Sequence, residues 1–357
     1  MQGLKIGEKT SKYPLIQGGM GVGVSGYSLA GNVAKNGGIG IIATADIGYK
    51  EDDFMSNSVE ANLRGIGKEI DKARKIAEGG IIGANVMVAM NNYAEMIKEL
   101  VKKGIDLIIS GAGLPKELPS YVQGTKTKIA PIVSSARGAN LITKMWMKKY
   151  NYVPDMIVVE GPEAGGHLGY SVEELIDETK KPKLEDIAKE VIEEMKKVEE
   201  ETNKKIPVVV GGGIFTGKDI AKFLKLGASG VQMATRFVAT EECDASPEFK
   251  KLYVEAKEEN VQIIKSPVGM PGRALKNKFI ESVSECPEKI AKCIRCIRTC
   301  DVRTTPYCIT KALINAVKGN VEEALIFCGS NVSKIKEIVK VKDLIEELML
   351  EVEGAIS

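Results

Sequence analysis

A chain of 357 residues, 44% of them hydrophobic, is long enough for one large α/β domain with additions. Its formal charge of +2 and aromatic content of 5% argue against a nucleic-acid partner, because neither a basic field nor stacking platforms are on offer. The first residues carry no apolar signal core, no run approaches the ~20 apolar residues that span a bilayer, and the seven cysteines are an odd number clustered late, so a cytoplasmic protein with reduced thiols and no membrane partner is expected.

Short β-branched, nearly all-apolar runs recur at 13–17, 39–43, 81–86, 105–109, 129–133, 156–160, 206–210 and 230–234, as in parallel strands covered on both faces. Helix-like segments such as 93–103 and 218–226 alternate with them, and 171–205 fills the longest gap with a charged amphipathic stretch. Eight strand-plus-helix units in order predict an α/β fold, a (β/α)8 TIM barrel over residues 1–240. From 241 to 357 the pattern predicts helices at 247–260, 287–300, 306–318 and 341–352, a C-terminal helical subdomain packed on the barrel.

His167 is the only histidine, and it sits in the glycine-rich segment EGPEAGGHLG (160–169) just past the sixth strand. Barrel enzymes keep their chemistry at that end of the strands, and imidazole titrates near neutrality, so His167 is the candidate catalytic residue rather than a surface histidine. The motif GVGVSG (21–26), with Asp46 following, matches a dinucleotide fingerprint. In a chain with 37 glycines the same residues equally serve a barrel's first loop. More specific is the pair GGGIFTG (211–217) and QMATRF (232–237), which follows strands seven and eight, where barrels commonly bind phosphate. A tight turn with a helix cap is the alternative there.

Cys286, Cys293, Cys296, Cys300 and Cys308 are spaced C-x6-C-x2-C-x3-C-x7-C. A C-x2-C can open a zinc or iron–sulfur site. On a helix over 287–300, however, Cys293, Cys296 and Cys300 fall on one face beside Ile290, Ile294 and Ile297. The reading adopted from that spacing is a buried apolar stripe with no metal.

The segments QGGM (17–20), GANVM (83–87), GPEAGGHLG (161–169), GGGI (211–214), QMATRF (232–237) and SPVGMPGRA (266–274), in this order, resemble the nitronate monooxygenase (2-nitropropane dioxygenase) family, which also contains the FMN-dependent enoyl-acyl-carrier-protein reductases of type II. The resemblance implies a TIM barrel holding FMN. Gly18, Gly19 and Met20 would lie against the flavin, with Asn85 and Glu160 near its polar edge. Gly165, Gly212, Gly213, Gln232, Met233, Ala234 and Thr235 would meet the ribityl phosphate, and His167 matches the family's active-site histidine. Glu160 stands where many members have glutamine, and Ala234 replaces a common glycine. The implied activity is oxidation of alkyl nitronates with O2 to a carbonyl product and nitrite. The alternative is NAD(P)H-dependent reduction of an enoyl thioester at the same site. Either way the partners are small-molecule substrates, with NAD(P)H as a second cofactor in the latter case, and a homodimer is compatible.

Overall fold

The computed structural model describes residues 2–356. Eight parallel strands close on themselves: β1 (Leu15–Gln17), β2 (Ile39–Ala43), β3 (Ile81–Met87), β4 (Leu107–Gly111), β5 (Lys128–Val133), β6 (Ile157–Glu160), β7 (Val208–Gly211) and β8 (Gly230–Met233), with β8 pairing back onto β1. Each lies within two residues of the run that predicts it. Ile16, Ile41, Leu107, Ile109, Val158 and Val209 point inward as a separate cluster, which Leu4 and Ile6 of a small N-terminal hairpin stopper from below. The barrel interior is thus a packed core, and the open end is the C-terminal one.

Around it stand α1 (Tyr27–Lys35), α2 (Ser58–Ala77), α3 (Tyr93–Lys102), α4 (Leu118–Val122), α5 (Ala136–Tyr150), α6 (Leu184–Thr202) and α7 (Gly217–Lys225). The charged gap between the sixth and seventh strands is mostly α6, whose apolar stripe of Ile187, Val191, Met195 and Val198 is buried while its charges face water. After β8 come α8 (Thr235–Val238), α9 (Pro247–Glu255), α10 (Lys278–Glu285), α11 (Ile309–Lys318) and α12 (Val341–Ile356).

The last helix closes the ring. It packs against α7 and also touches α1. A Cβ at Gly217 would lie 2.2 Å from the Leu348 carbonyl oxygen, so glycine permits the approach, and the Gly217 N–H donates to Glu351 at 2.6 Å. A division at residue 240 therefore parts β8 from the helix that covers its flank. We propose that the appended unit is 241–340, inserted between the two.

Within that unit the helical expectation fails twice. The helix begun at Pro247 stops at Glu255, and the chain then forms an antiparallel hairpin, β9 (Val261–Lys265) and β10 (Pro271–Leu275). No helix spans 287–300 either: after α10 ends at Glu285 the chain is irregular to Ile309. The backbone groups that would have made helical bonds are used elsewhere. The Arg298 N–H donates to the Ala89 carbonyl and the Asn91 N–H to the Cys296 carbonyl, both at 2.9 Å, and Arg295 adopts a left-handed φ of 53°. Long-range pairing with the loop after β3 has overridden helix propensity.

Candidate functional site

Every strand of the barrel ends at one cavity of about 420 Å3, within the roughly 300–1,000 Å3 typical of small-molecule sites. Gly18, Gly19 and Met20 leave β1 along its floor, Asn85 enters from β3, Glu160 ends β6, and Gly212 and Gly213 leave β7. Gln232, Met233, Ala234 and Thr235 close the circuit from β8, and Gly165 and His167 stand on the loop after β6. All thirteen site residues that the resemblance implies line this one space.

The glycines are there for proximity. A Cβ on Gly19 would lie 2.4 Å from the Asn85 Cβ, and one on Gly165 would lie 2.6 Å from the Cys328 carbonyl carbon. Gly212 and Gly213, which line the cavity, have φ of 105° and 82°, a conformation that L side chains rarely adopt.

His167 belongs to a two-residue strand, Gly166–His167, that pairs with β10. The motif at 266–274 is thereby explained: it is the turn and second strand of a hairpin that pins the histidine loop. Ser266, in the turn, lies 2.7 Å from His167 Nε2, and its oxygen accepts from the Val268 N–H at 3.3 Å. The serine oxygen keeps a second lone pair, so either Ser266 or the Nε2 of His167 can be the donor across this contact, according to the ring tautomer. Phe327 meets the imidazole edge-on at 4.9 Å. Burial lowers the His167 pKa to about 4, so the ring is neutral at physiological pH.

Two other groups organise this loop. Arg273, only 3% exposed, donates Nη1 to the carbonyls of Pro162 at 2.7 Å and Ala164 at 2.5 Å, and so fixes the peptide that leads to Gly165. Glu163 is paired with Lys181 at 3.0 Å; burial opposes its ionisation, but bonds from Ser330 and Lys181 win and hold its pKa below the usual value. Glu160 is different. Burial pushes its carboxyl up to about 8, while the Tyr170 hydroxyl bonds to its backbone oxygen at 2.7 Å. Its carboxyl is therefore protonated near neutrality.

The inserted unit supplies a wall that the sequence reading missed. Met270, Leu313, Leu325 and Phe327 line the cavity, Phe327 beside His167, and Cys328, Gly329, Ser330 and Asn331 lie by the loops after β7 and β8. The Gly329 N–H donates to Thr235 Oγ1 at 3.2 Å, and Asn331 Nδ2 donates to the Gly213 carbonyl at 2.7 Å. The signal was present in the segment CGSN (328–331), a small polar run between apolar stretches.

Asp46, the acid of the dinucleotide fingerprint, does not reach this cavity. It is buried with a φ of 47° and accepts a 2.7 Å bond from the Thr310 hydroxyl. The fingerprint glycines instead shape the first barrel loop.

The nitronate monooxygenase family model matches residues 3–351. The chain belongs to this family. A probable nitronate monooxygenase of Staphylococcus saprophyticus is 24% identical over 304 residues, 78% of this chain and 80% of that protein. A (3aS,4S,5R,7aS)-5-hydroxy-7a-methyl-1-oxo-octahydro-1H-indene-4-carboxyl-CoA dehydrogenase of Rhodococcus jostii is 24% identical over 272 residues; the match takes in 76% of this chain but 65% of that longer protein. Among solved structures, FabK from Thermotoga maritima superposes with a TM-score of 0.74 at 24% identity, covering 97% of this chain and 94% of that one. Nitroalkane oxidase from Streptomyces ansochromogenes gives 0.73 at 21% identity, with 97% of each chain covered. These likenesses confirm the TIM-barrel fold. No helix among the described residues is long and apolar enough to cross a membrane.

Proposed function

We propose that this family member is an FMN-dependent oxidoreductase whose substrate is neutral where it meets His167, and that it reduces an enoyl thioester at the expense of NAD(P)H. One observation carries the choice. Among the described residues no lysine or arginine lines the cavity, its single histidine is uncharged, and its two acidic side chains are Glu160 and Glu163. An anionic nitronate would find no cation there.

The residues fit FMN. Gly18, Gly19 and Met20 offer a flat floor with no side chain at Gly19 to obstruct a ring, and the positive-φ peptides at Gly212 and Gly213, with Gln232 to Thr235 and Gly165, are the cradle for a single phosphate. Asn85 and protonated Glu160 serve the ring's polar edge. A neutral carboxyl sets an O–H donor beside a carbonyl acceptor, as the amide of glutamine sets an N–H beside one, so Glu160 performs the task that glutamine performs in the relatives the sequence resembles. FMN, when bound, supplies a two-electron carrier that passes hydride.

The chain's own contribution is to orient and to exclude water. His167 is held by Ser266 on Nε2 and by Phe327 against its edge; in the tautomer that accepts from Ser266, its Nδ1–H is the donor for a thioester carbonyl and favours the charge that develops on that oxygen. Met270, Leu313, Leu325 and Phe327 keep the acyl side dry.

Nitronate oxidation is the second reading, favoured by the probable nitronate monooxygenase among the relatives. There His167, being neutral, acts as a base towards an uncharged nitroalkane rather than as a cation. Anaerobic mixing with NADH or NADPH, followed by a crotonyl thioester or by a nitronate with O2, separates the two. Thioester-dependent NAD(P)H consumption is expected. Nitrite release from the nitronate, with no thioester turnover, would refute the proposal.

A further inference from the structure

Beyond His167 the cavity continues between the inserted unit and the first barrel loop. Its walls there are Val22 and Val24 of the loop after β1, Phe249 and Tyr253 of α9, and Leu313 and Ala316 of α11. Three contacts give the order of these residues along the arm. Phe327, edge-on to the His167 ring, accepts at its carbonyl from the Tyr253 hydroxyl, so Tyr253 stands at the His167 end. Phe249 stacks on Tyr253 at 5.5 Å and lies one turn earlier in α9, about 6 Å along the helix axis. At the start of α9 the Ser246 N–H donates to the Val317 carbonyl at 3.1 Å, which joins the N-terminal end of α9 to the C-terminal end of α11. Ala316 therefore lies with Phe249 at the far end, and Leu313, three residues earlier on the same face of α11, comes nearer His167.

The far end is closed. The Cys243 thiol and the Asp244 N–H donate to the Val24 carbonyl at 3.3 and 3.2 Å, and the Asp244 carboxylate accepts from the Gly26 N–H at 2.8 Å. That seam ties the first barrel loop to the segment that leads into α9. Phe249 and Ala316 are only 3% and 1% exposed, so the arm tapers and ends on them. It also offers no polar partner: the one hydroxyl among these six residues, that of Tyr253, is engaged by the Phe327 carbonyl. A narrow, blind, apolar arm that begins beside the histidine fits a straight hydrocarbon tail.

We propose that the substrate carries an unbranched apolar chain that lies in this arm, and that Ala316 and Phe249 set the longest chain accepted. That this chain is the acyl part of an enoyl thioester rests on the reading above; the arm itself would take the tail of a nitroalkane in the same way. The step from the His167 ring to Phe327 and then one turn of α9 make the arm on the order of 10 Å deep, the reach of an octanoyl chain. Each methylene that enters strengthens binding by roughly fourfold. Once the tip meets Ala316, further carbons must displace packed side chains, which a close-packed interior resists.

Saturated acyl-pantetheines test this without turnover, because they have no double bond to reduce. Calorimetric titration of the full chain as purified should show octanoyl-pantetheine binding at least about tenfold tighter than butyryl-pantetheine, and dodecanoyl-pantetheine no tighter than octanoyl. Ala316→Leu, which extends a side chain into the end of the arm, should bring octanoyl and butyryl close to parity. If that variant does not fold, Phe249→Ala, which removes a ring from the end, should move the preference to dodecanoyl. Equal binding of butyryl and octanoyl by the wild type, or an unchanged octanoyl preference in both variants, would overturn the inference. Reduction is read separately. Chain-length-dependent binding with no NAD(P)H-dependent reduction of octenoyl-pantetheine refutes the proposed reaction and upholds the arm, whereas reduction of crotonyl-pantetheine without the binding pattern refutes the arm alone.

Discussion

Replacing Glu160 by glutamine tests the electrostatics of the site most directly. The carboxyl ends β6 inside the cavity, and burial raises its pKa from 4.5 to about 8. Below pH 4.5 folded and unfolded chains both hold the proton, so the group is neutral to stability. As pH rises the unfolded chain releases it first, and the native state loses ground until pH 8, where the folded carboxyl also ionises. A rise from 4.5 to about 8 corresponds to roughly 5 kcal/mol at most. That is a ceiling, because Glu160 is partly open to a cavity that water enters, and the expected net effect is about 1–3 kcal/mol. Glu160→Gln removes the titration and keeps a donor and an acceptor. Urea unfolding of the apoprotein from pH 5 to pH 8.5 should show the wild type losing stability over that range relative to the variant, with the variant more stable by about 1–3 kcal/mol at the upper end. Flavin binding should survive in the glutamine variant and weaken in Glu160→Ala. Parallel pH profiles for wild type and Glu160→Gln would refute the argument, because the carboxyl would then be ionised in the folded protein as in the unfolded one.

Four further outcomes are expected. The released cofactor should be FMN by mass spectrometry if the loops after β7 and β8, which line the cavity, hold a single phosphate as proposed; FAD would show that reading to be wrong. His167→Ala should keep the flavin and lose about 10²–10³-fold in kcat/KM, as on loss of one donor to a developing oxyanion, while the wild-type rate shows no histidine inflection between pH 5.5 and 8 because the ring is neutral above about pH 4. Gly19→Ala should abolish flavin retention or folding, because the added methyl falls 2.4 Å from the Asn85 Cβ; a normal flavin spectrum would contradict this. Arg273→Met leaves the carbonyls of Pro162 and Ala164 without their donor and should destabilise by roughly 1–3 kcal/mol per buried group, read as a fall in Tm with the barrel's circular dichroism intact.

What the sequence disclosed and what it hid divide along a physical line. The barrel strands were legible because each is a short apolar run with its own boundaries, and parallel strands covered on both faces leave that signature without help from distant residues. The cavity residues were legible for a related reason: the end of a strand fixes where a side chain points, so Glu160, Asn85 and Gln232 had to meet once the strands were placed in order. The hairpin over His167 was not legible. Its first strand carries no alternation of buried and exposed residues, and its partner is a two-residue strand about a hundred positions earlier.

The cysteine segment shows the same limit more sharply. The spacing of Cys293, Cys296 and Cys300 fits one helical face as well as it fits a ligand set, and nothing local decides between them. The decision is made by Ala89 and Asn91, which lie about two hundred residues away and take up the backbone of Cys296 and Arg298 in the loop after β3. Once those groups are engaged there the helix is lost, and the left-handed turn at Arg295 breaks the stripe along which Cys293, Cys296 and Cys300 would have ranked. The barrel thus does more than carry the candidate site residues at its strand ends. Through one loop it also sets the conformation of the inserted segment, and with it the loss of the helix that the cysteine spacing predicts.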